Sequence, residues 1–167
     1  MESIFFLVVA AVAVISSILV VTCKNPINSA LSLVMTFFCL ATFYVMLDAP
    51  FLAATQVIVY AGAIMVLIIF VIMLLNVKAE SGKRGAHAKT AGSVIGLFVL
   101  FQTVWFLMRG SMTGARGTID KAQIVSYGHV ELIGRELFTT FLLPFEITSL
   151  LLLAAIVGAV ILAKKKI

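Results

Sequence analysis

The sequence predicts an all-α integral membrane protein of five transmembrane helices with no soluble domain. Three observations carry that prediction. Of 167 residues, 63% are apolar and only 11% charged, against about half and about a quarter in soluble domains. The apolar residues collect in five long stretches, 3–23, 27–47, 51–76, 90–108 and 137–163, each near or above the ~20 residues that cross ~30 Å of hydrocarbon as a helix. No lipid-exposed strand or open loop survives at that depth, because its backbone polar groups would go unsatisfied.

The first stretch has an acidic flank, Glu2, where a signal peptide carries a basic one, so it reads as a retained helix. Two very short turns follow, Lys24-Asn25-Pro26 and Asp48-Ala49-Pro50. They make the first three helices antiparallel neighbours, with each proline near a helix start, where its missing N–H costs nothing. The third stretch has several more apolar residues than a straight crossing needs, a surplus that tilt or a bulge absorbs. Its middle gathers Ala61, Gly62 and Ala63 beside the polar Gln56 and Tyr60. In a regular helix Gln56 and Tyr60, four apart, share a face. Gly62 lacks a Cβ and permits either close helix packing or local rewinding. Gly92/Gly96 and Ala154/Gly158 are small-xxx-small pairs suited to helix–helix contact.

Eight basic residues fall on one side of the spans: Lys24, Lys78, Lys83, Arg84, Lys89, Lys164, Lys165 and Lys166. Four fall on the other, Arg109, Arg116, Lys121 and Arg135, offset by Asp120, Glu131 and Glu136. That asymmetry puts the N-terminus outside (periplasmic) and the C-terminus in the cytoplasm. The net charge of +5 follows this rule rather than any nucleic-acid surface. The 109–136 segment, glycine-rich and mixed in charge, reads as an outer loop lying against partner subunits.

The spans contain no Lys, Arg, Asp or His, and only Glu146 comes near. A self-sufficient proton carrier needs ionisable groups at mid-membrane, and a haem protein needs axial ligands there, whereas His87 and His129 lie in loops. Cys23 and Cys39 sit roughly 18 Å apart along the helix-and-turn geometry, too far for a disulfide, and read as small apolar fillers. With the last helix starting at Pro144, Glu146 falls in its first turn, where the dipole favours a carboxylate. Both a helix-start role and a proton-path role stay open for it.

Two stretches carry a family likeness. Residues 25–76, with the core QVIVYAGAIMVL, and residues 134–166, with the run LLPFE to VGA, resemble subunit J of proton-translocating NADH:quinone oxidoreductase, respiratory complex I. The mitochondrial relative is its sixth mitochondrially encoded subunit. The resemblance implies a membrane-arm subunit between the quinone-site subunit and the antiporter-like subunits. It implies no cofactor in this chain, with NADH, FMN, iron–sulfur clusters and quinone held elsewhere in the complex. It also implies a π-bulge in the third helix around Tyr60, Ala61 and Gly62 that couples quinone reduction to proton translocation by opening or closing a water path. A membrane-bound hydrogenase, a multi-subunit cation/proton antiporter or a stand-alone small transporter are the alternative settings.

Overall fold

In the computed structural model, residues 2–75, 86–109, 124 and 127–164 are described, with the side chains of 86–91 left aside. Every regular element among them is helical: α1 Glu2–Thr22, α2 Pro26–Met46, α3 Pro50–Thr55, a π-helical segment Gln56–Ile64, α4 Met65–Leu75, α5 Ala86–Arg109, α6 His129–Phe138 and α7 Leu142–Ala163. Five runs are long and apolar enough to cross a membrane, and α3, the π segment and α4 join into one of them, Pro50–Leu75.

The first three runs pack together with α2 in the middle. Both prolines take first-turn positions. Asn25 caps α2, its side chain accepting the Ile27 N–H at 2.9 Å, which satisfies one of the donors that a helix start leaves free. The α1–α2 hairpin is held at both ends. Ser29 Oγ donates to the Val20 carbonyl at 2.5 Å near the turn, and Phe6 meets Phe43 at 5.4 Å at the far end. Asp48 closes α2 with a left-handed φ of 56°, and Ala49 N–H reaches back to the Tyr44 carbonyl at 2.9 Å. Aspartate tolerates that conformation better than most non-glycine residues. The buried positions are small, Ala30, Cys39, Ala41, Ala53 and Ala61, with Ser16, Gln56 and one large side chain, Met65. Cys39 is buried and Cys23 half-buried, both free thiols.

The distal half differs. None of the described side chains of α5 and α7 is buried, and among the described residues α5 packs against no other helix and α7 touches only α6. A Cβ placed on Gly92, Gly96 or Gly158 would meet nothing within 4 Å, so the small-residue pairs on these helices have no partner among the described residues.

The sequence places a helix at 137–163 and a loop at 109–136, and both boundaries move. The chain breaks at Thr139–Phe141, and α7 begins at Leu142. Proline explains the break. With Phe141 as N-cap, Pro144 is the third helical residue, where no intrahelical acceptor is lost by lacking an N–H. Within the expected loop, His129–Phe138 forms the amphipathic helix α6, which packs on α3 and α7. Most of the remaining expected loop, and the 76–85 connection with its basic residues Lys78, Lys83 and Arg84, lie outside the described residues.

A chain with two such unpartnered spans is expected not to hold its fold alone. Expressed without its partners, it should show protease cleavage and rapid amide exchange in α5 and α7, both suppressed in the assembled complex. A monodisperse isolated subunit with protected α5 and α7 would contradict this.

Candidate functional site

The longest span is interrupted at its centre by nine π-helical residues, Gln56–Ile64. Entry is α-helical: the Gln56 N–H points to the Leu52 and Ala53 carbonyls. Exit is wide: the Met65 N–H reaches the Tyr60 and Gly62 carbonyls, and Tyr60 is five residues back. The sequence expectation of a departure from α-helix here is met, and it covers Tyr60, Ala61 and Gly62 together.

Gly62 eases the wide turn. A Cβ added there would stand 3.2 Å from the Val57 carbonyl oxygen, closer than ordinary van der Waals contact, and Val57 is also five residues back. A side chain there would require that oxygen to give by a few tenths of an ångström, and glycine does not.

The extra residue changes which side chains face α2. Along this span the buried residues are Ala53, Gln56, Ala61 and Met65, spaced three, five and four. The step of five is the width of the π turn. An unbroken α-helix, with steps of three or four, would carry the stripe from Gln56 to Tyr60 and Ile64. Here those two are exposed instead, Tyr60 by 47% and Ile64 by 41%, while Met65 is 1% exposed. Gln56 and Tyr60 therefore do not share a face as the four-residue spacing suggests, because that spacing holds only in a regular helix. Tyr60 turns to the edge of the bundle, where its ring meets Phe37 of α2 edge-on at 6.0 Å. Among the described residues neither the Tyr60 hydroxyl nor the Gln56 amide has a hydrogen-bond partner. No buried side-chain N or O is sealed without one, so the Gln56 amide reaches an opening.

Two participants escape the sequence reading, Met65 and Phe37. Each is one apolar residue among many, and only the shifted register marks them. Ala63 is exposed and Gly62 half-buried.

Glu146 lies apart from this site. The earlier start of α7 puts it in the second turn rather than the first, about 6 Å below Leu142 at 1.5 Å per residue. It is exposed, and its backbone carbonyl accepts from Ser149 Oγ at 2.7 Å. Among the described residues no three His, Cys, Asp or Glu side chains converge as metal ligands would.

The model of the NADH-ubiquinone/plastoquinone oxidoreductase chain 6 family matches residues 16–162. The chain is 42% identical over 144 residues to the chloroplastic NAD(P)H-quinone oxidoreductase subunit 6 of Staurastrum punctulatum, covering 84% of this chain and 78% of that one. It is 36% identical over 171 residues to the chloroplastic subunit 6 of Zygnema circumcarinatum, with coverage of 98% and 93%. With NAD(P)H-quinone oxidoreductase chain 6 of a Synechocystis strain it shares 34% identity over 168 residues, covering 98% and 81%.

Replacing Gly62 with alanine should shift the segment toward α-helix. The Cβ crowds the Val57 oxygen in the π turn, whereas in an α-helix alanine is favoured over glycine by about 1 kcal/mol, a population change of roughly fivefold or more. Classified cryo-EM images of the assembled complex would read it. Undiminished π occupancy in Gly62→Ala would contradict the steric role of this glycine.

Proposed function

This chain belongs to the NADH-ubiquinone/plastoquinone oxidoreductase chain 6 family, and on that premise we propose that its third span is the element through which quinone reduction is coupled to proton translocation. Membership makes it a membrane-arm subunit of an NAD(P)H-quinone oxidoreductase and a multi-pass membrane protein, working beside other subunits of that complex. The finer reading follows from the π segment, the observation that carries it.

A π turn and an α turn are two discrete states of one segment. Passing from one to the other rotates everything beyond it by about 100°, exchanging Ala61 and Met65 for Tyr60 and Ile64 against α2. The exchange moves a phenol and its hydroxyl between the edge of the bundle and its interior. A hydroxyl placed in hydrocarbon needs a polar companion, so a line of water beside the segment would be made or broken with that move. Redox chemistry at a distance can bias such a two-state element without this chain carrying a proton itself.

In this reading the chain holds no redox cofactor. NADH, FMN, the iron–sulfur clusters and the quinone belong to other subunits. Its neighbours are the quinone-site subunit and the antiporter-like subunits, whose helices fill the open glycine seams of α5 and α7. The N-terminus faces the periplasm and the C-terminus the cytoplasm of a bacterial cell inner membrane, although relatives named as chloroplastic mean the family is not confined to that membrane. Glu146, exposed and separate from the switch, acts as a carboxylate near the start of a helix rather than as a proton carrier.

Gly62→Val should slow coupled turnover and proton pumping several-fold while assembly and iron–sulfur reduction persist, since its branched side chain crowds the Val57 oxygen in the π state. Normal pumping by this variant would remove the switch. Glu146→Gln should alter pumping by less than about twofold in reconstituted vesicles, and a severe pumping loss with intact assembly would return it to the proton path.

A further inference from the structure

Two polar side chains are buried among the described residues, Ser16 and Gln56, and only Gln56 belongs to the π segment. It is 8% exposed, whereas Tyr60, four residues on, is 47% exposed. The amide offers an oxygen acceptor and two N–H donors. No described residue engages any of them, and the amide is not sealed away. Resting on the two-state reading above, we propose that Gln56 is the positioning residue of the switch. In the α state its amide pairs with the Tyr60 hydroxyl, and in the π state it holds water instead.

Register decides which state permits the pair. In an α-helix, residues four apart are neighbours with Cβ atoms about 5–6 Å apart. An aromatic side chain there leans back toward the helix start, over the residue four before it. Tyr60 then leans over Gln56, and its O–H donates to the amide oxygen. The π turn removes that neighbourhood. The buried stripe steps from Gln56 to Ala61, and the Tyr60 ring lies instead against Phe37, 6.0 Å away.

The exchange keeps the polar groups satisfied on both sides of the equilibrium. A phenol carried into the α2 interface brings a hydroxyl whose burial is costly unless something accepts its proton. The Gln56 amide is the group already buried on that stripe. The rest of the segment, VIV and AGAI, has no polar side chain to take its place. In the π state the amide reaches an opening, where water can donate to the same oxygen. One donor therefore meets that oxygen in each state, and replacing water by the hydroxyl breaks the line of water at Gln56.

The test is a double-mutant cycle in the assembled complex, frozen during turnover and sorted by cryo-EM into α and π classes. Gln56→Met keeps the length of the side chain and removes the amide. Tyr60→Phe keeps the ring and removes the hydroxyl. Each alone leaves the other group buried and unpaired in the α state, so each should lower the ratio of α to π about fivefold. Together they leave two apolar side chains, and the double variant should return to within about twofold of the wild-type ratio. Additive losses in the double variant, or a ratio that neither single variant shifts, would overturn the pairing and leave the switch standing. A wild-type complex found in one class only would overturn the switch and the pairing with it.

Discussion

Hydrocarbon offers a backbone N–H or C=O no partner, so each spanning segment must satisfy its own polar groups turn by turn. Four of the five long runs here do so as α-helices. The third run departs from the regular ladder over nine residues, and the departure persists because the rest of the proximal half is built around it. Small residues on α2 let the widened turn approach closely, and Met65, at the point where the α-ladder resumes, is the most deeply buried side chain of the described chain. The three-helix unit of α1, α2 and the third span packs around one irregular turn.

That arrangement explains the division of labour along the molecule. The proximal half has internal order: a capped helix start at Asn25, a hairpin tied at both ends, and a buried stripe that changes register at Gln56. The distal half has length and apolarity, and among the described residues its contacts are confined to α6. Lipid solvates apolar side chains as well as a protein core does, so nothing in α5 or α7 demands a partner on hydrophobic grounds. Their open glycines at 92, 96 and 158 nevertheless have the form of helix-contact sites. A subunit that packs one half on itself and offers the other to its neighbours suits a chain whose relatives are numbered parts of a large oxidoreductase.

Much of this was legible in the residues, for definite reasons. The spans follow from length and apolarity, and the tight turns from Pro26 and Pro50. The irregular turn announces itself through a surplus of apolar length and a glycine among alanines. What escaped detection depends on register rather than composition. Gln56 and Tyr60 look like companions by spacing, and only the inserted residue separates them. Met65 and Phe37 have nothing in their identity to distinguish them from a dozen similar side chains. The helix α6 is hidden because ten residues carrying Gly134 and three charges resemble a loop, while its amphipathic pattern becomes meaningful only once α3 and α7 supply a surface to pack on.

The central claim is that the π segment is one of two states whose exchange rotates α4 against α2. The most direct measurement is a pulsed electron-resonance distance in the assembled complex between a spin label at Leu67 on α4 and one at Ile27 near the start of α2, both exposed positions. A rotation of about 100° carries a label across much of the helix diameter of about 10 Å. The account predicts two distance populations several ångström apart, whose ratio changes when NADH and quinone drive turnover and reverts when substrate is exhausted. A single distance, identical at rest and during turnover, would contradict it.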